Sequence, residues 1–415
     1  MSREMRHSGI EWIGEIPKEW KVAKLKQLGS YINGYAFKPE DWSDSGKPII
    51  RIQDLTGSFS NPNYFSGTID NRYLITKGDI LVSWAATLDA FIWSNEDGWL
   101  NQHIFKAVPD SCMNSRFFYW LIKVAMDNMN NDNKHGIVMQ HVTVGLFGNF
   151  LVGVPSYSEQ QKIANYLDKV CGEVDEMIAL QEQMIEELKA YKQSVITEAV
   201  TKGLNPNVPM KDSGIDWIGE VPEHWEVCRF KDVASVKANL VHPDDYLDYP
   251  QIAPDNIEKG SGRLLPYKSV KESNVISDNH LFFKGQIIYS KIRPVLNKLI
   301  IAPFDGLCSA DMYPIETKND TNYQKYYMLS EVFVSQVALV VQDRVKMPKI
   351  NKEELSVIYF LSLPLDEQQS IASYLDTKCS EIDALITIKQ QKIEDLKDYK
   401  KSVIYEYVTG KKEVV

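Results

Sequence analysis

The sequence is short of most features that mark a secreted protein, a membrane protein or an enzyme. Its 415 residues hold five cysteines, Cys112, Cys171, Cys228, Cys308 and Cys379, with no CxxC pair, which argues against a disulfide framework and a zinc site. No run of about eighteen apolar residues is present to span a membrane, and the N-terminus MSREMRHSGIEW lacks the apolar core of a secretion signal. A cytoplasmic protein is expected. Neither GxGxxG nor GxxxxGK(S/T) occurs, so the phosphate-cradling loops of nucleotide-binding enzymes are missing. Positive charge is also in deficit, with 46 Lys and Arg against 56 Asp and Glu and a net charge of −10.

What the chain does have is a large internal repeat. GIEWIGEIPKEW at 9–20 returns as GIDWIGEVPEHW at 214–225, and EQQKIANYLD at 159–168 returns as EQQSIASYLD at 367–376. The first pair lies 205 residues apart and the second 208, so each copy is a whole structural unit and the molecule has pseudo-two-fold character. Between the repeated motifs the copies diverge, although KGDILVS at 77–83 still matches KGQIIYS at 284–290. A shared scaffold with different loops is expected. The charge deficit belongs to the repeated parts, because the divergent stretches balance at 12 cations against 12 acids over 21–157 and 17 against 16 over 227–365. Acidic repeats suit protein contacts, and the neutral stretches leave room for local basic patches.

Short apolar runs predict strands over 79–84, 90–93, 286–289 and 298–302, and longer segments suit helices over 119–126 and 323–340. The fold class is therefore mixed α/β (α+β), with two similar globular domains in pseudo-two-fold tandem, separated by two long antiparallel coiled-coil helices. The boundaries expected are 1–157 for the first domain, 158–203 for the first helix, 204–365 for the second domain and 366–415 for the second helix. In the first helix Ile163, Leu167, Val170, Val174, Met177, Met184, Leu188, Tyr191 and Val195 follow alternating steps of four and three, with Gln181 at the missing place. The second places Ile371, Leu375, Ile382, Leu385, Leu396, Tyr399 and Val403 likewise, while Lys378, Lys389 and Lys392 interrupt it and Ile386 and Ile393 widen it. Each run is about 65 Å long as a helix and needs a partner. Gly203 and the prolines at 206 and 209 end the first.

Chemistry-bearing patterns are few. Asp305 followed by Glu316 and Lys318 has the loose D…ExK spacing of some nucleases, but the first copy lacks it. His103, His135 and His141 have no metal-ligand spacing. Donors able to meet base edges and phosphates are better represented. In the second domain these are Lys291, Arg293, Asn297 and Lys298 after a predicted strand, with Arg344, Lys346 and Lys349 as a second group. In the first they are Ser83, Trp84 and Thr87 at the corresponding turn, then Asn101, Gln102 and His103, and later Lys134, His135, Gln140 and His141. Trp12, Trp20, Trp217 and Trp225 are expected to staple the repeated segments onto their domains.

Two divergent domains, each introduced by WIGE(I/V)P…W and followed by EQQxIAxYLD on a long helix, resemble the specificity subunit of type I restriction-modification systems over essentially the whole chain. The resemblance implies target recognition domains that each read one half of an asymmetric, split site in double-stranded DNA. It implies a helical spacer that sets the gap and docks two methyltransferase subunits, with restriction subunits joining the full complex. It also implies a chain with no catalytic residues and no cofactor of its own, S-adenosylmethionine belonging to the methyltransferase and ATP with magnesium to the restriction partner. The competing reading is a coiled-coil assembly protein that does not read DNA.

Overall fold

The computed structural model describes residues 3–57, 61–85, 88–132 and 144–414. They form two compact units, Met1–Leu180 with Lys392–Val415, and Gln181–Gln391. Each unit holds one globular domain and takes one half of each long helix, Tyr157–Lys202 and Leu365–Val408.

The two domains have one topology. In the first, a four-stranded antiparallel sheet runs in the order Gly29–Asn33, Ile104–Pro109, Ile80–Ser83, Asp89–Ile92. In the second the order is Ala234–Val236, Met312–Thr317, Ile287–Ser290, Leu299–Ile301. A second, mixed sheet follows in both, with a parallel pair Lys47–Ile50 and Gly98–Leu100 in one and Pro250–Ile252 and Gly306–Cys308 in the other. The strands at 80–83 and 287–290 are buried at every position, which explains why ILVS and IIYS read as continuous apolar runs. The helix expected over 323–340 is two helices, Thr321–Leu329 and Glu331–Val341. Ser330 takes an extended backbone between them and its hydroxyl accepts from the Phe333 amide, capping the second.

The repeated motifs meet each other. In the first unit the buried Trp20 indole donates to Glu159 at 3.1 Å, and in the second Trp225 donates to Glu367 at 3.0 Å. The next residue completes each joint. Gln160 accepts from the Asn114 amide (2.8 Å) and donates to the Pro155 carbonyl (3.2 Å), while Gln368 accepts from the Asp320 amide (2.8 Å) and donates to the Leu363 carbonyl (2.9 Å). The WIGE segment, the domain and the start of the long helix are thus tied at one point in each copy. Gly410 ends the second helix with φ 74°, and a Cβ there would lie 2.5 Å from Pro17, so the left-handed cap and the close approach both require glycine.

The helical segments within each unit are antiparallel, through Tyr166 against Tyr407 and Asp175 with Lys400 in the first, and Gln181 with Lys389 and Lys192 with Asp383 in the second. Ile163, Leu167, Val174, Ile371, Leu375 and Ile382 are buried as expected, and Leu188 and Leu396 are half-buried. Tyr191 and Tyr399 are corrections to the expected seam: they are 58% and 52% exposed. The inward positions are one residue further on, Ile178, Ile185 and Lys192 in the first helix and Ile386, Ile393 and Lys400 in the second. The β-branched residues face in with the stems of Lys192 and Lys400, whose ammonium groups reach Asp383 and Asp175. Cys171 and Cys379 are buried beside this seam, and burial pushes the Cys171 thiol up to about 11.

Glu367→Ala and Glu159→Ala are each expected to cost about 2 kcal/mol in chemical denaturation, since each strands a buried indole N–H. Gln369→Ala, at an exposed position of the same turn, is expected to change stability by less than about 0.5 kcal/mol.

Candidate nucleic-acid interface

In the second unit the strand Ile287–Ser290 leads into a turn that is mated to a later loop. Ile292 bridges Lys349, the Arg293 amide donates to Pro348 at 2.7 Å, and the Ile350 amide donates to Lys291 at 3.0 Å. Sequence separation of more than fifty residues hides this pairing. Its residues Arg293, Asn297 and Met347 have φ of 45°, 46° and 47°, the left-handed region that L side chains seldom adopt. Such strain persists only where surrounding contacts fix it.

Of the seven residues expected here, the structure brings Lys291, Arg293, Arg344, Lys346 and Lys349 together at the mated loops. Arg293 and Lys346 are exposed and have no ion-pair partner among the described residues. Lys349 lies 3.0 Å and Lys291 4.0 Å from Asp311, so one carboxylate gathers two cations. Arg344 is paired with Glu354, which raises the guanidinium's pKa and lowers the carboxyl's. Asn297 is a correction. It is buried, its amide donates to the Met328 carbonyl at 2.8 Å, and it cannot reach a base edge. Lys298 is likewise turned inward, donating to the Pro254 carbonyl at 2.7 Å.

In the first unit the structure joins residues that are distant in sequence. Trp84 lies 5.6 Å from the His103 ring, and Gln102 and His103 are exposed beside it, their Nε2 atoms 3.5 Å apart. Asn101, half-buried, bridges Tyr35, and a Cβ on Gly34 would lie 1.9 Å from its carbonyl oxygen. Ser83 is a second correction: it is fully buried and its hydroxyl donates to Ala85, as Ser290 does to Ile292 in the other copy, both at 3.1 Å. These serines shape the turn. Thr87, Lys134, His135, Gln140 and His141 lie outside the described residues.

The nuclease spacing does not become a site. Asp305 accepts from the Lys284 amide (2.7 Å), Glu316 pairs with Lys237 (2.7 Å), and Lys318 donates to the Asp232 carbonyl (2.9 Å). Among the described residues no group of three His, Cys, Asp or Glu side chains could hold a metal ion, and no helix is long and apolar enough to cross a membrane. Sequence reading missed Asp311, which no periodicity marks, and the apolar Val345 and Met347 beside Lys346.

Comparison with known proteins gives a consistent result. The family model described as type I restriction modification DNA specificity domain matches twice, over residues 17–190 and 222–398. The type I restriction enzyme EcoDI specificity subunit of Escherichia coli is 32% identical over 374 residues, covering 86% of this chain and 81% of the relative. The type I restriction enzyme MjaVIII specificity subunit of Methanocaldococcus jannaschii is 23% identical over 419 residues, covering 95% and 93%. A solved structure, described as the structural basis underlying complex assembly and conformational transition of the type I R-M system, has a TM-score of 0.70 at 13% identity and covers 95% of this chain and 99% of the other.

Asn297→Ala is expected to lower stability by about 1–3 kcal/mol, through the stranded Met328 carbonyl and an alanine in the left-handed region. The DNA sequence modified by a complex carrying this chain is expected to stay the same, and a changed sequence at unchanged stability would contradict the structural role.

Proposed function

The chain belongs to the type I restriction modification DNA specificity family, and on that premise we propose that it selects the DNA sequence for a methyltransferase complex, each unit reading one half of an asymmetric split site. The observation that carries this reading is a pair of equivalent turns with different chemistry. After the buried strand at 80–83 stand Trp84, Gln102 and His103, and after its counterpart at 287–290 stand Lys291, Arg293 and Lys346. A stacking, amide-bearing surface and a cationic one recognise different base edges, so one scaffold yields two half-sites.

The long helices set the separation of the half-sites and carry the partners. Their outward faces keep Met177, Leu180, Met184 and Tyr191 exposed on the first and Leu385, Ile388 and Tyr399 on the second, apolar area that suits two methyltransferase subunits at equivalent positions. S-adenosylmethionine and the chemistry belong to those subunits, and ATP with magnesium to restriction subunits that join them. This chain supplies no catalytic residue, and the assembly works in the cytoplasm. The acidic repeats place negative charge on the protein-binding parts and leave the near-neutral domains to meet DNA.

Titration of the purified complex with DNA carrying its motif tests the reading. Arg293→Ala combined with Lys346→Ala is expected to weaken binding about tenfold or more and to reduce the slope of log K against log salt by about one for each of the two that meets a phosphate. Unchanged affinity and slope, in a complex that still assembles, would shift the weight to the assembly reading.

A further inference from the structure

The mated loops of the second unit present apolar side chains where cations alone would suffice for phosphate. Val345 is 96% exposed, Met347 52% and Val295 46%, and they flank the exposed Lys346 and Arg293. Exposed apolar tips gain nothing against phosphate oxygens. Nor does this tip serve the unit's core, because the core of the second unit closes below it at Val341 and Ile350. The backbone of Met347 is held left-handed at φ 47°, and the neighbouring Pro348 and Lys349 are fixed on Arg293 and Ile292, so the tip is positioned as well as exposed.

One apolar group projects from base edges into the major groove, the C5-methyl of thymine. We infer that Val345 and Met347 read a thymine methyl in the half-site bound by the second unit, with Arg293 and Lys346 fixing the register against phosphates or a neighbouring guanine. This rests on the DNA-recognition reading and deepens it, because it assigns a base feature to named side chains. It also explains the placement of a basic residue between two apolar ones: Lys346 anchors the backbone while its neighbours reach the floor of the groove.

The assembled complex, with its methyltransferase partner, is titrated with duplexes in which each thymine of the mapped motif is replaced in turn by deoxyuridine, which removes the methyl group alone. At one position the unaltered complex is expected to bind about fourfold more weakly, the equivalent of one buried methyl. The complex carrying Val345→Ala with Met347→Ala is expected to bind the thymine duplex more weakly by a similar factor and to be indifferent to deoxyuridine at that position. A motif in which no thymine replacement is felt, or a double variant that keeps the full deoxyuridine effect, overturns the inference. So does a double variant that loses the methyltransferase subunits, which would make the tip a protein contact. The Arg293→Ala, Lys346→Ala complex separates the two levels: if it loses affinity while deoxyuridine is silent, DNA recognition stands and the methyl assignment alone fails.

Discussion

The hydrogen bond from a buried tryptophan to the first acid of the EQQ motif holds this architecture in place. Trp20 with Glu159 and Trp225 with Glu367 join the segment that enters each domain to the helix that leaves it. A domain can redirect its loops freely only if its orientation on the helix is fixed elsewhere. The joint fixes it with the indole's bond to the carboxylate, with a second contact to that carboxylate from Arg3 (2.6 Å to Glu159) or His224 (2.9 Å to Glu367), and with a glutamine that satisfies backbone groups of the domain itself. This explains why two motifs some 150 residues apart in sequence are the parts that repeat most faithfully. They are two sides of one contact.

The helices show the same economy. Lys192 with Asp383 and Lys400 with Asp175 are the same pair seen twice, each lysine 208 residues from its equivalent. The ion pairs are partly exposed and contribute little energy each. Their value is in register, because a lysine on the inward face can be accommodated only where its acid stands opposite. Polar residues at seam positions trade stability for a defined partner and alignment in the same way.

Much of the fold was legible in the sequence. The repeat marked two units of like topology, buried strands at 80–83 and 287–290 announced themselves as apolar runs, and Trp20 and Trp225 read correctly as staples, whereas Trp217 is 44% exposed. The seam was legible only to within one residue. Met177 stands beside Ile178 and Met184 beside Ile185, so two stripes fit the periodicity, and packing against the partner helix selects the branched residue. The candidate interface was harder. Asn297 and Ser83 have the right chemistry for base contact, yet each satisfies backbone groups inside its own turn. The pairing of the 291–297 turn with the 342–349 loop depends on tertiary contacts, and it alone shows that Arg293, Lys346 and the apolar tip share one surface.

Two units with one scaffold and unlike loops suit the proposed division of labour, in which a methyltransferase partner does the chemistry and this chain chooses where. The central claim is that the chain itself supplies the sequence preference. A modification map of DNA from cells expressing the chain with its methyltransferase partner, set beside cells expressing that partner alone, tests it most directly. The account predicts a new split motif with two different half-sites, present only when the chain is expressed. No new motif, from a complex shown to be assembled and folded, would contradict it.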